Sequence, residues 1–345
     1  MLPLHDAGFK TGEARTASSR LIPFVLVVAI SLIAASACGT QTSENDAVRI
    51  DTVPGGDESE LGSVQSVPTH GWLPEDWKIF DETVRWAWSE GIDTVSLGSA
   101  VARIGLRFVG TPYEPGTLEV DGPEALVVNF RALDCVTFVE NVIALTSFVR
   151  AHDVDVLRDS AQARRRYEAK LSEVRYRPGF ADKYEARFHY FSEWLAAHAD
   201  DGWLELVAAD LGGRSDEEPV YFMSANPQAY RQLSDAATLN AIRAMERQLN
   251  VGDARMFLPE GELMAAVQGV REGDVIAATS TVPGLDIAHT GIAVRFNGAI
   301  HLLHAPLVGD SVEVSVEPLA ARIQSISSQD GIMVGRPVDG PWFGG

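Results

Sequence analysis

Three residues far apart in the chain carry side chains suited to acyl transfer: Cys135, His289 and His304. Cys135 stands where a loop passes into a helix, in the run Leu133-Asp-Cys-Val-Thr-Phe. A helix start offers unpaired N–H groups and the positive end of the macrodipole, and both favour thiolate, the reactive form, over thiol. Asp134 is the expected cap. The competing reading is structural, because free cysteine often packs as a small buried hydrophobe.

The histidines are placed by a hairpin. Asn297-Gly298 separates Ile287–Phe296 from a second β-type run beginning at Ala299, and that dipeptide is a strong two-residue turn signal. With Phe296 opposite Ala299, the pairing continues until Gly291 faces His304, so His289 and His304 project from one face as a diagonal pair. Gly291 leaves room between them, and His301 points to the other face. A thiol with two such imidazoles supplies nucleophile, base (His289) and orienter (His304) for attack on a carbonyl carbon. The Cys135 N–H and a neighbouring donor are the expected oxyanion stabilisers. Two alternatives use the same residues: a zinc site of one thiolate and two imidazoles, which lacks the usual ligand spacings, and ordinary strand histidines.

These groups need a helix and a sheet to hold them. Val136, Val139, Val142, Ile143, Thr146 and Val149 form an apolar stripe after Cys135. Helical spacing also marks residues 74–88, 188–195 and 234–250, whereas 273–278, 287–296, 299–304 and 312–316 are short β-type runs between turn residues. Helices first and strands afterwards predict an α+β fold.

The chain has 345 residues, of which 46% are hydrophobic and 22% charged, enough for a sizeable core. Its formal net charge of -20 argues against a nucleic-acid partner. Lys10, Arg15 and Arg20 precede an apolar run at 21–37 and then Cys38, so 1–38 reads as an export signal. Small residues before Cys38 resemble a bacterial lipobox, with Ala35 where leucine is usual; that predicts acylation of Cys38. An uncleaved anchor and an ordinary cleaved signal are the alternatives, and all three put the protein outside the cytoplasm. With Cys38 used or removed, Cys135 has no disulfide partner among the two cysteines. Residues 39–70 are polar and acidic, as in a flexible linker, and 71–345 are expected to form a single catalytic domain.

Four ordered motifs carry a resemblance: Gly110-Thr-Pro-Tyr113, Leu133-Asp-Cys-Val-Thr-Phe-Val-Glu140, Gly284-Leu-Asp-Ile-Ala-His-Thr-Gly-Ile-Ala-Val294 and Leu302-Leu-His-Ala305. Together they look like the N-acetylmuramoyl-L-alanine amidase-like family, one of the NlpC-type, papain-like cysteine hydrolases of bacterial cell walls. The likeness runs from about Trp72 to Pro337. It implies a papain-like fold with helical insertions, a Cys135-His289-His304 triad without cofactor or metal, and peptidoglycan cut between N-acetylmuramic acid and L-alanine. It also implies that Tyr113 lines the site as oxyanion donor or substrate guide; as residues alone, Tyr113 is equally a turn residue after Pro112. Glu140 and Asn141 fit the pattern, Glu140 being held by Arg131 or by backbone. His189 and Trp194 are expected to pack. After Tyr113 the chain has Glu114-Pro-Gly-Thr-Leu-Glu119, where the wider superfamily has Trp and paired Gly, so the subsite shape stays open. Stem-peptide endopeptidase and non-catalytic cell-wall-binding lipoprotein are the alternative functions. The implied setting is the cell envelope, as a membrane-anchored periplasmic lipoprotein.

Overall fold

The computed structural model describes residues 69–179 and 182–345. The export segment with Cys38, and the linker up to residue 68, lie outside the described residues. Among those described, no helix is long and apolar enough to cross a membrane. Thr69–His70 form β1, which pairs in parallel with β2 (Leu126–Val127), so the last two linker residues are tied to the folded part.

Helix α1 (Pro74–Ser89) follows an extended Leu73, with Pro74 in its first turn. It buries Phe80, Thr83, Val84 and Ala87, the spacing of one helical face. Helix α2 (Leu97–Leu106) leads to the loop carrying Tyr113, and α3 (Cys135–Ala151) opens on Cys135. Every α3 residue from Thr137 to Val149 is buried. It is a central helix, enclosed by α1, α2 and α4 (Ser160–Arg175) and by the sheet. The helix expected at 188–195 starts later, as α5 (Phe191–Asp200), because Tyr190 before it is extended. It is followed by β3 (Leu204–Leu206), β4 (Arg214–Asp216), the short α6 (Phe222–Ala225) and α7 (Ala236–Leu249), capped by Asp235.

The remainder builds the sheet: β5 (Arg255–Pro259), β6 (Val275–Ser280), β7 (Ile287–Phe296), β8 (Ala299–His304), β9 (Glu313–Val314) and β10 (Gln329–Pro337), with α8 (Leu263–Ala266) and α9 (Leu319–Gln324) between them. The strand order is β4-β5-β10-β6-β7-β8-β9, with β3 also on β10, and every pairing is antiparallel. The fold is α+β. One face, with Val275, Ala277, Ile292 and Leu303, packs on the α1–α4 layer. The other, with Ala278, Ala293 and Leu302, packs on Leu319, Ala320 and Ile323 of α9.

Candidate active site

The cysteine is delivered by a tight cap. Asp134 Oδ1 accepts from the Thr137 N–H at 2.8 Å, and the Asp134 N–H donates to Thr137 Oγ1 at 2.9 Å. The two residues satisfy each other's orphan groups and leave Cys135 as the first residue of α3. The helix start is fixed from behind by Asp76, fully buried, whose Oδ1 accepts from the Phe130 N–H at 3.0 Å and from Arg131 Nε at 3.1 Å. It is fixed from the sheet by Thr290, whose hydroxyl donates to the Cys135 carbonyl at 2.8 Å.

The hairpin has the expected register. Phe296 faces Ala299 and Ile292 faces Leu303, and Asn297 and Gly298 turn the chain with φ of 49° and 83°. One step on, Gly291 meets His304. A Cβ there would lie 2.6 Å from the Leu303 carbonyl oxygen and 3.0 Å from His304 Cβ, so only glycine fits. Across that gap His289 Nε2 and His304 Nδ1 stand 2.8 Å apart, with the rings perpendicular. His301 faces the other way and bonds the Ser315 carbonyl through Nδ1 at 2.8 Å. A feature invisible in the motif is a bulge: β6 pairs Ala278 with His289 but Thr279 with Ile287, leaving Ala288 extra. Such a kink re-aims the neighbouring side chain, here His289, toward the cleft that Ala288 also lines.

That cleft, of about 440 Å³, brings together Cys135, His289, Asp134 and Tyr113. His304 is 2% exposed and stands behind His289. Tyr113 is pinned by its N–H to the Asp310 carbonyl at 2.9 Å, while the preceding Pro112 carbonyl accepts from the Leu133 N–H at 3.0 Å. Burial first, then Cys135 and Asp134, hold the Tyr113 phenol above its ordinary value, so it is a donor at neutral pH.

Electrostatics at the site pull in two directions. Cys135 is partly exposed and lines the cleft; burial first and the Asp134 carboxylate second push the thiol up to about 11. The N–H and hydroxyl of Thr290 and the Cys135 N–H pull the other way and do not win. Burial also holds His289 well below 6.5 and His304 down to about 3, helped for both by Arg322. Burial thus favours neutral thiol and neutral imidazoles, opposing the pull of the helix-start amides toward thiolate.

Other assignments shift. Glu140 is held not by Arg131 but by Arg175 Nε at 2.7 Å, both residues being 1% exposed, and Arg131 is engaged with Asp76. Asn141 is structural, donating to the Thr137 carbonyl and accepting from the Tyr167 hydroxyl. His189 bonds the Tyr184 carbonyl, and Trp194 is fully buried. Among the described residues no three His, Cys, Asp or Glu side chains form a group able to hold a metal ion. The facing nitrogens of His289 and His304 engage each other. Sequence reasoning missed Arg322, on α9, and Gln329, which opens β10; both line the cleft, and neither lies in a readable pattern.

Residues 103–332 match the N-acetylmuramoyl-L-alanine amidase-like family. A solved N-acetylmuramoyl-L-alanine amidase from Bacteroides uniformis is 30% identical with a TM-score of 0.64, covering 70% of this chain and 99% of its own. A Bacteroides fragilis protein with a xylanase name is 33% identical with a TM-score of 0.60, over 67% of this chain and 98% of its own. A Legionella pneumophila protein at 17% identity and a TM-score of 0.54, over 75% of this chain and 94% of its own, shares the fold. No curated protein matches.

Proposed function

Because the chain belongs to the N-acetylmuramoyl-L-alanine amidase-like family, a family of cell-wall hydrolases, we propose that it is a cysteine-dependent amidase of the papain-like, NlpC type, cutting peptidoglycan between N-acetylmuramic acid and L-alanine. The observation that carries this reading is the 2.8 Å contact of His289 and His304 at a cleft shared with the helix-start cysteine.

The tautomers follow from the role. For His289 to act as base its Nδ1 is bare, so its proton sits on Nε2 and is donated to His304 Nδ1. His304 then orients the ring and spreads the positive charge that forms. Because burial favours neutral thiol and neutral imidazole, the proton passes from Cys135 to His289 as sulfur attacks the lactyl carbonyl carbon. The oxyanion forms beside the Cys135 N–H and the protonated Tyr113 hydroxyl. His289 returns its proton to the departing L-alanine nitrogen, and water activated by the same ring hydrolyses the thioester. A glycosidase mechanism is disfavoured: it needs two available carboxyl groups, and the cleft's acids are engaged, Asp134 in the cap and Glu119 with Arg187 at 2.9 Å.

Export and acylation at Cys38 complete the proposal: an envelope lipoprotein, with the catalytic part from residue 71 on a linker. Incorporation of labelled palmitate that vanishes in Cys38→Ala tests the anchor. Mass spectrometry of defined muropeptides treated with the full chain, beside Cys135→Ala, tests the chemistry. Release of free sugar and a peptide beginning with L-alanine is expected. A sugar-bearing dipeptide would make it an endopeptidase, and binding without cleavage a wall-binding protein.

A further inference from the structure

Among the described residues, Arg322 is the one lysine or arginine lining the cleft. Its guanidinium is partly buried, and Nη1 is enclosed with no hydrogen-bond partner among the described residues. Glu313 and Glu317 are near enough to favour its charge, yet neither pairs with it among the described ion pairs. In the same cleft Gln329 is 3% exposed and its Oε1 has no partner among the described residues. A donor cation and an acceptor amide left unmet in one cavity are costly unless something else completes them. The charge of Arg322 bears on Cys135, His289 and His304, so it stands close to the reacting centre.

We infer that Arg322 recognises a carboxylate on the leaving peptide, with Gln329 Oε1 accepting a peptide N–H of the same segment. This deepens the amidase reading and rests on it for which side of the substrate lies where. On the sugar side of the scissile amide the substrate offers hydroxyl and acetamido groups; its carboxylates lie on the peptide side. The nearest belongs to the second peptide residue, a D-glutamate linked through its side chain, whose α-carboxylate is free. Two residues of chain place it roughly 7 Å from the scissile bond. A chain of net charge -20, with Glu119 and Asp134 also at the cleft, would repel such a peptide without a cation there.

The test uses the full chain carrying Cys135→Ala and titration calorimetry with a muramoyl tripeptide whose glutamate α-carboxylate is either free or amidated. The free acid is expected to bind about 10- to 100-fold tighter, the range for a hydrogen bond to a charged group. Arg322→Gln is expected to bring that ratio to within about threefold, with Arg322→Lys keeping part of it and circular dichroism checking both folds. Equal binding of the two ligands, a preference that survives Arg322→Gln, or binding of neither overturns the inference. With Cys135 intact, an Arg322→Gln loss in kcat that is equal for both ligands overturns it too, in favour of oxyanion stabilisation. A preference seen in binding, without sugar release by the intact chain, supports the recognition role while sinking the amidase reading.

Discussion

Two arginines, one fully and one partly buried, separate scaffold from cleft. Arg175, under α3, has Glu140 at 2.7 Å and the Val127 carbonyl at 2.6 Å, and the neighbouring Asn141 accepts from the Tyr167 hydroxyl. Arg322, in the cleft at the start of that helix, has an enclosed Nη1 that meets nothing among the described residues. Around Arg175 and Asn141 the chain supplies both partners of each of these bonds. At the cleft, Arg322 Nη1, Gln329 Oε1 and His304 Nε2 each lack one among the described residues.

The largest expected effect lies on the cleft side. Cys135→Ala should lower turnover by ~10⁴-fold or more, with a thermal midpoint within a few degrees of the parent; residual turnover near the parent level would remove the thiol from the chemistry. On the scaffold side the loss should be of stability. Glu140→Ala leaves Arg175 buried without its carboxylate and should cost roughly 3–5 kcal/mol in urea unfolding, and a cost below about 1 kcal/mol would contradict a structural role for the pair. His304→Ala should fall between, at 10- to 1000-fold on the order of an orienting residue.

The buried imidazoles predict a pH dependence. His189 and His304 are held near 3 and His198 near 4, in each case first by burial. Above their ordinary value of 6.5 they are neutral folded or unfolded, so pH has no grip on them. Below it the unfolded chain binds protons first, and stability should decline as pH falls from 6.5 toward 3–4. Urea midpoints at pH 7 and pH 5 check the sign. The smallest effect sharpens the comparison within one hairpin: His301→Ala should change turnover by no more than about threefold while costing about 1 kcal/mol for its lost carbonyl bond.

The hairpin was legible because its geometry is local. Asn297-Gly298 sets the turn, period-two alternation sets the faces, and the His289–His304 contact follows. The cap at Asp134 and helices α1, α3 and α7 were readable for the same reason. Strand β10 was not, although it lies between β5 and β6. Gly331 and Gly335 interrupt its β-type pattern, yet a Cβ at Gly331 would strike the Leu258 carbonyl at 2.3 Å, and one at Gly335 would strike Leu195 and Leu204 at 2.7 Å. The residues that hide the strand are those that let it be crowded. The helix-start amides that favour a Cys135 thiolate are near in sequence and readable, whereas the burial that opposes them is tertiary and was not. Arg322 and Gln329 enter the cleft from elements that carry no motif.

Gly291 has a consequence for reading other chains. It bears no reactive atom, yet any side chain there would press on the Leu303 carbonyl and His304. A descendant that kept the cysteine and both histidines but replaced this glycine would look intact residue by residue while its imidazoles could no longer meet. In a survey of relatives, a lost glycine at this place would be an early mark of an enzyme decaying into a pseudoenzyme.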